Sequence, residues 1–219
     1  MQHGYGLDVP QALEDVCDPA RMGLLVYDMQ AGILPQLPTA AEVTARVAEV
    51  LRAARGAGYR AFFTRHMSLP TEVSGVAQLR AAMAWQRVER VGDVRPSFPR
   101  DSPQFQIVPE VAPLPSEAVF DKIGMSAFVG TPLEIALRDC RLSALVVVGV
   151  ALEVGIEPTV RHAADLGLIP VVVADACGSR DDAARTRALD GLAFAGDAMI
   201  TEASAICALL SRASVGVSA

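Results

Sequence analysis

No run of lysine or arginine stands out in this chain of 219 residues, and its formal net charge at pH 7 is −6. Nucleic acid and anionic membranes are therefore poor partners on electrostatic grounds. No apolar stretch approaches the roughly 18–20 residues that a spanning helix needs. The opening MQHGYGLDVPQALEDVCDP lacks the apolar run behind basic residues that marks a secretory leader, so a soluble cytoplasmic protein is expected. The four cysteines, Cys17, Cys140, Cys177 and Cys207, are scattered with no C-x-x-C pair. That argues against a zinc site or a disulfide framework and for reduced, buried thiols. Paired histidines at ligand spacing are missing, as are a P-loop and a G-x-G-x-x-G after a strand. Neither a metal nor a nucleotide or other cofactor is expected.

Hydrophobic residues make up 52% of the chain and charged residues 20%, enough for a substantial core. Residues 1–20 read as an N-terminal arm, and 21–219 as a single domain. MGLLVYD is a buried strand ending at Asp28, and YRAFFTRH is a second. Between them Thr39 can cap a helix whose valines and Leu51 recur at helical spacing until Gly56 and Gly58 stop it. SGVAQLRAAMAWQRVER is a second helix, rich in strong helix formers. Gly92 to Glu117 carries six prolines and reads as a long loop of the kind that forms lids or arms. EAVFDK is a short strand, and GTPLEIALRDC a helix with Thr131 as its cap and Pro132 as its first residue. SALVVVGV, LIPVVVADAC and AMI are further strands, each followed by a helix. Strands that alternate with helices and run continuously apolar predict a parallel sheet covered on both faces.

In such a sheet the carboxyl ends of the strands gather along one edge, where ligands bind. Asp28, Lys122 and Glu153 fall at or just beyond strand ends. A carboxylate and an ammonium in a partly desolvated cleft suit general acid–base work, although position alone serves a structural ion pair equally well. Glu153 is a candidate base for a water or a structural hydrogen-bonding group. His66 follows the second strand, whereas His162 reads as a packed helix residue.

LLVYDMQAGIL, DKIGMSAFVGTPLEIAL and LVVVGVALEVGIEPTVRHAADLGLIPVVVADAC together resemble the isochorismatase-like hydrolase superfamily, in order from about Met22 to about Cys177. The resemblance implies a three-layer αβα sandwich of Rossmann-like topology with a mostly parallel, about six-stranded sheet. In the amidase branch it implies a triad of aspartate, lysine and cysteine. Asp28 and Lys122 fill the first two places, but Gly155 holds the third, as a glycine does in isochorismatase itself. Without a side chain Gly155 cannot form a covalent intermediate. It leaves instead acid–base hydrolysis of a small metabolite by Asp28 and Lys122, with water as nucleophile, and room for substrate bulk at Gly155. The same resemblance implies that the bond cleaved is that of an enol ether or a related C–O or C–N bond.

His66, Trp85, Met125, Phe128, Ala151, Leu152 and Glu153 are expected to line the pocket. Gly124 and Met125 replace the arginine and tyrosine of isochorismatase, which makes isochorismate a poor substrate. A non-proline cis bond is expected at Ala151–Leu152. Two other readings stand beside this one: a non-catalytic ligand-binding member, and an amidase with an unorthodox nucleophile such as Cys177. The resemblance further implies a homodimer or homotetramer, with the arm and the Pro-rich loop at subunit contacts.

Overall fold

The computed structural model describes residues 1–213. A hairpin of β1 (Gln2–Gly4) and β2 (Leu7–Val9) opens the chain. It turns at Tyr5 and Gly6, both with positive φ, the conformation that tight hairpins require. The arm thus holds a short antiparallel pair that its low periodicity does not announce.

Six parallel strands follow: β3 (Met22–Tyr27), β4 (Arg60–His66), β5 (Ala118–Lys122), β6 (Ala144–Val150), β7 (Ile169–Gly178) and β8 (Met199–Thr201). Their order in the sheet is β5-β4-β3-β6-β7-β8, with every neighbouring pair parallel. β3 is buried along its whole length, as a strand covered on both faces must be. Its side chains alternate between two cores. Met22, Leu24 and Val26 join the cluster under α1 (Ala40–Gly56) and α6 (Ala203–Ala213). Leu25 and Tyr27 join the opposite cluster, with side chains of α3 (Leu133–Asp139), α4 (Glu157–Asp165) and α5 (Asp182–Ala195). This is the three-layer α/β arrangement that the strand–helix alternation predicts.

Two boundaries differ from expectation. α2 runs only from Val76 to Gln86, stopped where Arg87 adopts a left-handed conformation, and none of its side chains is buried. Pro132 sits in the cap of α3 rather than its first turn, while the Thr131 hydroxyl accepts the Leu133 N–H at 3.2 Å. No described helix is long and apolar enough to cross a membrane. Residues 214–219, the end of the expected domain, lie outside the described residues.

Candidate active site

The chain order runs outward from β3 through β4 to β5, then returns to the other side of β3 as β6. The crevice between the ends of β3 and β6 is therefore the switch point at which open α/β sheets bind ligands. Asp28 leaves β3 there with φ +47, a left-handed conformation that a non-glycine residue holds only where its surroundings enforce it. Its N–H reaches the carbonyl of Thr64 at 3.2 Å, and the Thr64 hydroxyl donates to Oδ1 at 2.7 Å. Lys122, at the end of β5, donates from Nζ to Asp28 Oδ2 at 2.7 Å and to the carbonyl of Gly124 at 3.2 Å. Both residues of this ion pair are almost fully buried. Burial pushes the Lys122 ammonium below its ordinary pKa of 10.5, and the Asp28 charge opposes that fall. A buried pair of this kind costs desolvation that Coulomb attraction repays only in good geometry. Its place at a strand-end crevice is what points to chemistry rather than support.

Above the pair opens a cavity of about 210 Å³. Asp28, His66, Trp85, Met125, Ala151, Glu153 and Gly155 all line it, so most of the residues expected at the pocket do meet there. Phe128 and Leu152 are not among its lining residues. Phe128 is buried with its ring 5.2 Å from that of His162, and Leu152 is fully buried in the same cluster, because both face the α3–α5 layer. His162 is the packed helix residue expected, its Nδ1 2.9 Å from the Ser126 hydroxyl.

The His66 main chain is clamped by the buried Gln30 side chain, which accepts its N–H at 2.6 Å and donates to its carbonyl at 3.0 Å. The imidazole meets Trp85 and Phe98 edge-on at 6.2 and 5.9 Å. Burial first, then the nearby Lys122 charge, pulls its pKa down to about 4, with Asp28 opposing, so His66 is neutral near pH 7. Ser97 and Phe98 bring the Pro-rich segment into the cavity wall, where proline spacing had marked a loop without placing it. Glu153 turns a buried Oε2 with no hydrogen-bond partner among the described groups.

At the end of β6, Gly149 has φ +124, and a Cβ there would collide with the Tyr27 carbonyl oxygen and stand 2.8 Å from its carbonyl carbon. The non-proline cis bond follows at Val150–Ala151, one residue before the expected place. A wide helical turn, Leu152–Ile156, then leads into α4 and contains Gly155, whose carbonyl accepts from the Thr159 hydroxyl at 2.7 Å. Although Gly155 lines the cavity, the volume that a side chain at 155 would take is not the open room for substrate expected there. It is filled by the phenol of Tyr27, whose hydroxyl donates to the Met125 carbonyl and whose ring lies 4.3 Å from Lys122 Nζ. Sequence reasoning passed over Tyr27 because an aromatic in a buried strand reads as core.

Cys177 is fully buried, and its thiol contacts the carbonyl of Val147 at 3.5 Å. Burial pushes its pKa up to about 12, which leaves negligible thiolate at neutral pH. Among the described residues, no group of three or more His, Cys, Asp or Glu side chains is placed to hold a metal ion.

Comparison with known proteins agrees with this fold. Residues 22–204 match the model of the isochorismatase domain. The isochorismatase family protein YecD of Escherichia coli O157:H7 is 27% identical over 71% of this chain and 79% of its own length. The ureidoacrylate amidohydrolase RutB of Methylobacterium radiotolerans is 28% identical over 80% and 74%. Among solved structures, a cysteine hydrolase from Pseudomonas syringae superposes with a TM-score of 0.78 over 90% of this chain and 95% of its own, at 19% identity, a likeness of fold. An isochorismatase family protein from Burkholderia thailandensis gives a TM-score of 0.71 and 28% identity over 87% and 96%. With residues 22–204 matched by that model and the fold shared with these structures, this protein belongs to the isochorismatase family of hydrolases.

Proposed function

We propose that this hydrolase cleaves a small metabolite without a covalent intermediate, by proton transfer from the Asp28–Lys122 pair and addition of water. The observation that carries the reading is a buried, hydrogen-bonded acid–base pair opening on a cavity where Gly155, in the turn between β6 and α4, offers no nucleophile. The resting proton sits on Lys122 Nζ, which burial makes a readier donor. It passes to Asp28, which touches the cavity, and from there to the substrate. With an enol ether, protonation at carbon gives an oxocarbenium ion. Water adds to that ion and returns a proton to Asp28, and the hemiketal then collapses to a carbonyl compound and an alcohol. Glu153, which lines the cavity, is suited to orient that water.

The walls supplied by Ile33, Leu37, Trp85, Phe98 and Val154 favour a substrate with an apolar body. Amidohydrolases among the relatives, RutB and an N-carbamoylsarcosine amidase of Arthrobacter, give a specific reason to keep C–N bonds beside C–O bonds. Assembly as a homodimer or homotetramer in the cytoplasm belongs to the same proposal, supported by the exposed Tyr5, Leu7 and Val9 of the arm.

The test is a hydrolysis screen of enol ethers, amides, ureides and imides on the wild type, Asp28→Asn and Cys177→Ala. Asp28→Asn is expected to lose about 10²–10⁴-fold in rate, the usual share of a general acid–base group. Cys177→Ala is expected to keep its turnover. Activity that survives Asp28→Asn, or that disappears with Cys177→Ala, overturns the mechanism. Ligand-induced stabilisation with no turnover of any substrate makes this a binding protein.

A further inference from the structure

We propose that Tyr27 sets the reaction class of this site: its phenol occupies the volume in which any side chain at 155 would have to stand. This rests on reading the site as one without a covalent intermediate, but its test does not depend on turnover. A Cβ built on Gly155 meets the Tyr27 hydroxyl oxygen, then Cζ at 2.5 Å and Cε1 at 2.6 Å. Two of these are atoms of one rigid ring and the third is the hydroxyl fixed to it, so no rotation of a flexible end relieves them. Nor can the ring withdraw. It is 1% exposed and packed in the cluster with Leu133, Ile156 and Val160. Its hydroxyl is tied to the Met125 carbonyl, and one face carries the Lys122 ammonium. In an interior packed to crystal density, such overlap shifts the backbone or ejects the ring.

Positions 27 and 155 are thus complementary: a large rigid side chain at one requires none at the other. The consequence for specificity follows. With the phenol closing the cavity floor beside Gly155, a bound substrate reaches Asp28 but meets no attacking group at the head of α4. The substrates that fit are those whose scissile bond breaks on protonation and addition of water. Acyl compounds that need a side-chain nucleophile are excluded by Tyr27 itself.

The experiment installs a thiol and asks whether it can stand there. Gly155→Cys, Tyr27→Phe/Gly155→Cys and Tyr27→Val/Gly155→Cys are treated with iodoacetamide in the folded state. Labelling at residue 155 is mapped by mass spectrometry, and melting temperatures are taken alongside. Gly155→Cys and Tyr27→Phe/Gly155→Cys are expected to melt below the wild type and to label slowly, because Cζ and Cε1 remain in the phenylalanine ring. Tyr27→Val/Gly155→Cys is expected to melt above Gly155→Cys and to label about tenfold faster or more, as coupling between contacting residues allows.

If Gly155→Cys does not accumulate as folded protein, recovery of folded, labelled protein in the valine double variant supports the proposal. Wild-type stability and rapid labelling in Gly155→Cys alone overturn it. So does a valine double variant no more stable and no better labelled than the single. A protein that hydrolyses nothing would sink the proposed function and leave this comparison intact.

Discussion

Removing one member of the Asp28–Lys122 pair leaves the other buried without its counter-charge, so stability and activity respond differently to single and double changes. Asp28→Asn is expected to lower the unfolding free energy by about 3 kcal/mol, the usual cost of breaking a buried pair. Asp28→Asn/Lys122→Met is expected to regain most of that stability, since a neutral, apolar occupant needs no partner. Both variants should lose at least about 10²-fold in rate. Urea denaturation with parallel rate measurements checks this, and an equally destabilised double variant would show that the pair's attraction outweighs its desolvation. Both residues were legible as strand-end charges that the family motifs single out, although position alone left a structural ion pair an equal reading, and Lys122 is the only lysine in the chain. Tyr27 was not legible. The residues before it in MGLLVYD are apolar or glycine and read as strand core, and only the third dimension puts its hydroxyl beside a glycine 128 positions away.

At the scale of the element, the turn from β6 into α4 is the feature most exposed to a single change. Gly149→Ala must place a Cβ against the Tyr27 main chain and hold φ at +124, a region that side chains avoid. It is expected to cost on the order of 3 kcal/mol or more, the range for backbone strain joined to a main-chain clash. Chemical denaturation measures it, and a loss under about 1 kcal/mol would show that β3 and β6 can separate without penalty. The elements themselves were largely readable from periodicity and apolar runs. Their ends were less so. α2 is cut short by a left-handed Arg87 that no Gly or Pro announces, and β1 and β2 are too short for a period to show. The Pro-rich loop was located correctly, but its role as cavity wall comes from Ser68 bridging to Pro99 and from Phe98, contacts remote in sequence.

For the whole molecule, alternation of strand and helix implies the three layers, and the return of the chain from β5 to β6 creates the crevice that everything else serves. That crevice also couples global stability to pH through His66. Its folded pKa, about 4, lies below the ordinary imidazole value of 6.5, so between these values the unfolded chain binds more protons than the native one. Stability from this group is therefore complete above pH 6.5 and is lost as pH falls towards 4. The loss is expected to reach about 3 kcal/mol, since each unit of separation corresponds to about 1.4 kcal/mol. His66→Gln removes the titrating ring while keeping a polar side chain of similar reach. Its unfolding free energy should fall less steeply than that of the wild type from pH 6.5 to 4, with the two curves parallel above 7. Carboxylates elsewhere titrate in both proteins and cancel in the difference. Parallel curves across the whole range would mean that His66 accepts a proton inside the folded crevice, so that the Lys122 ammonium 
and the aromatic walls do not hold it neutral.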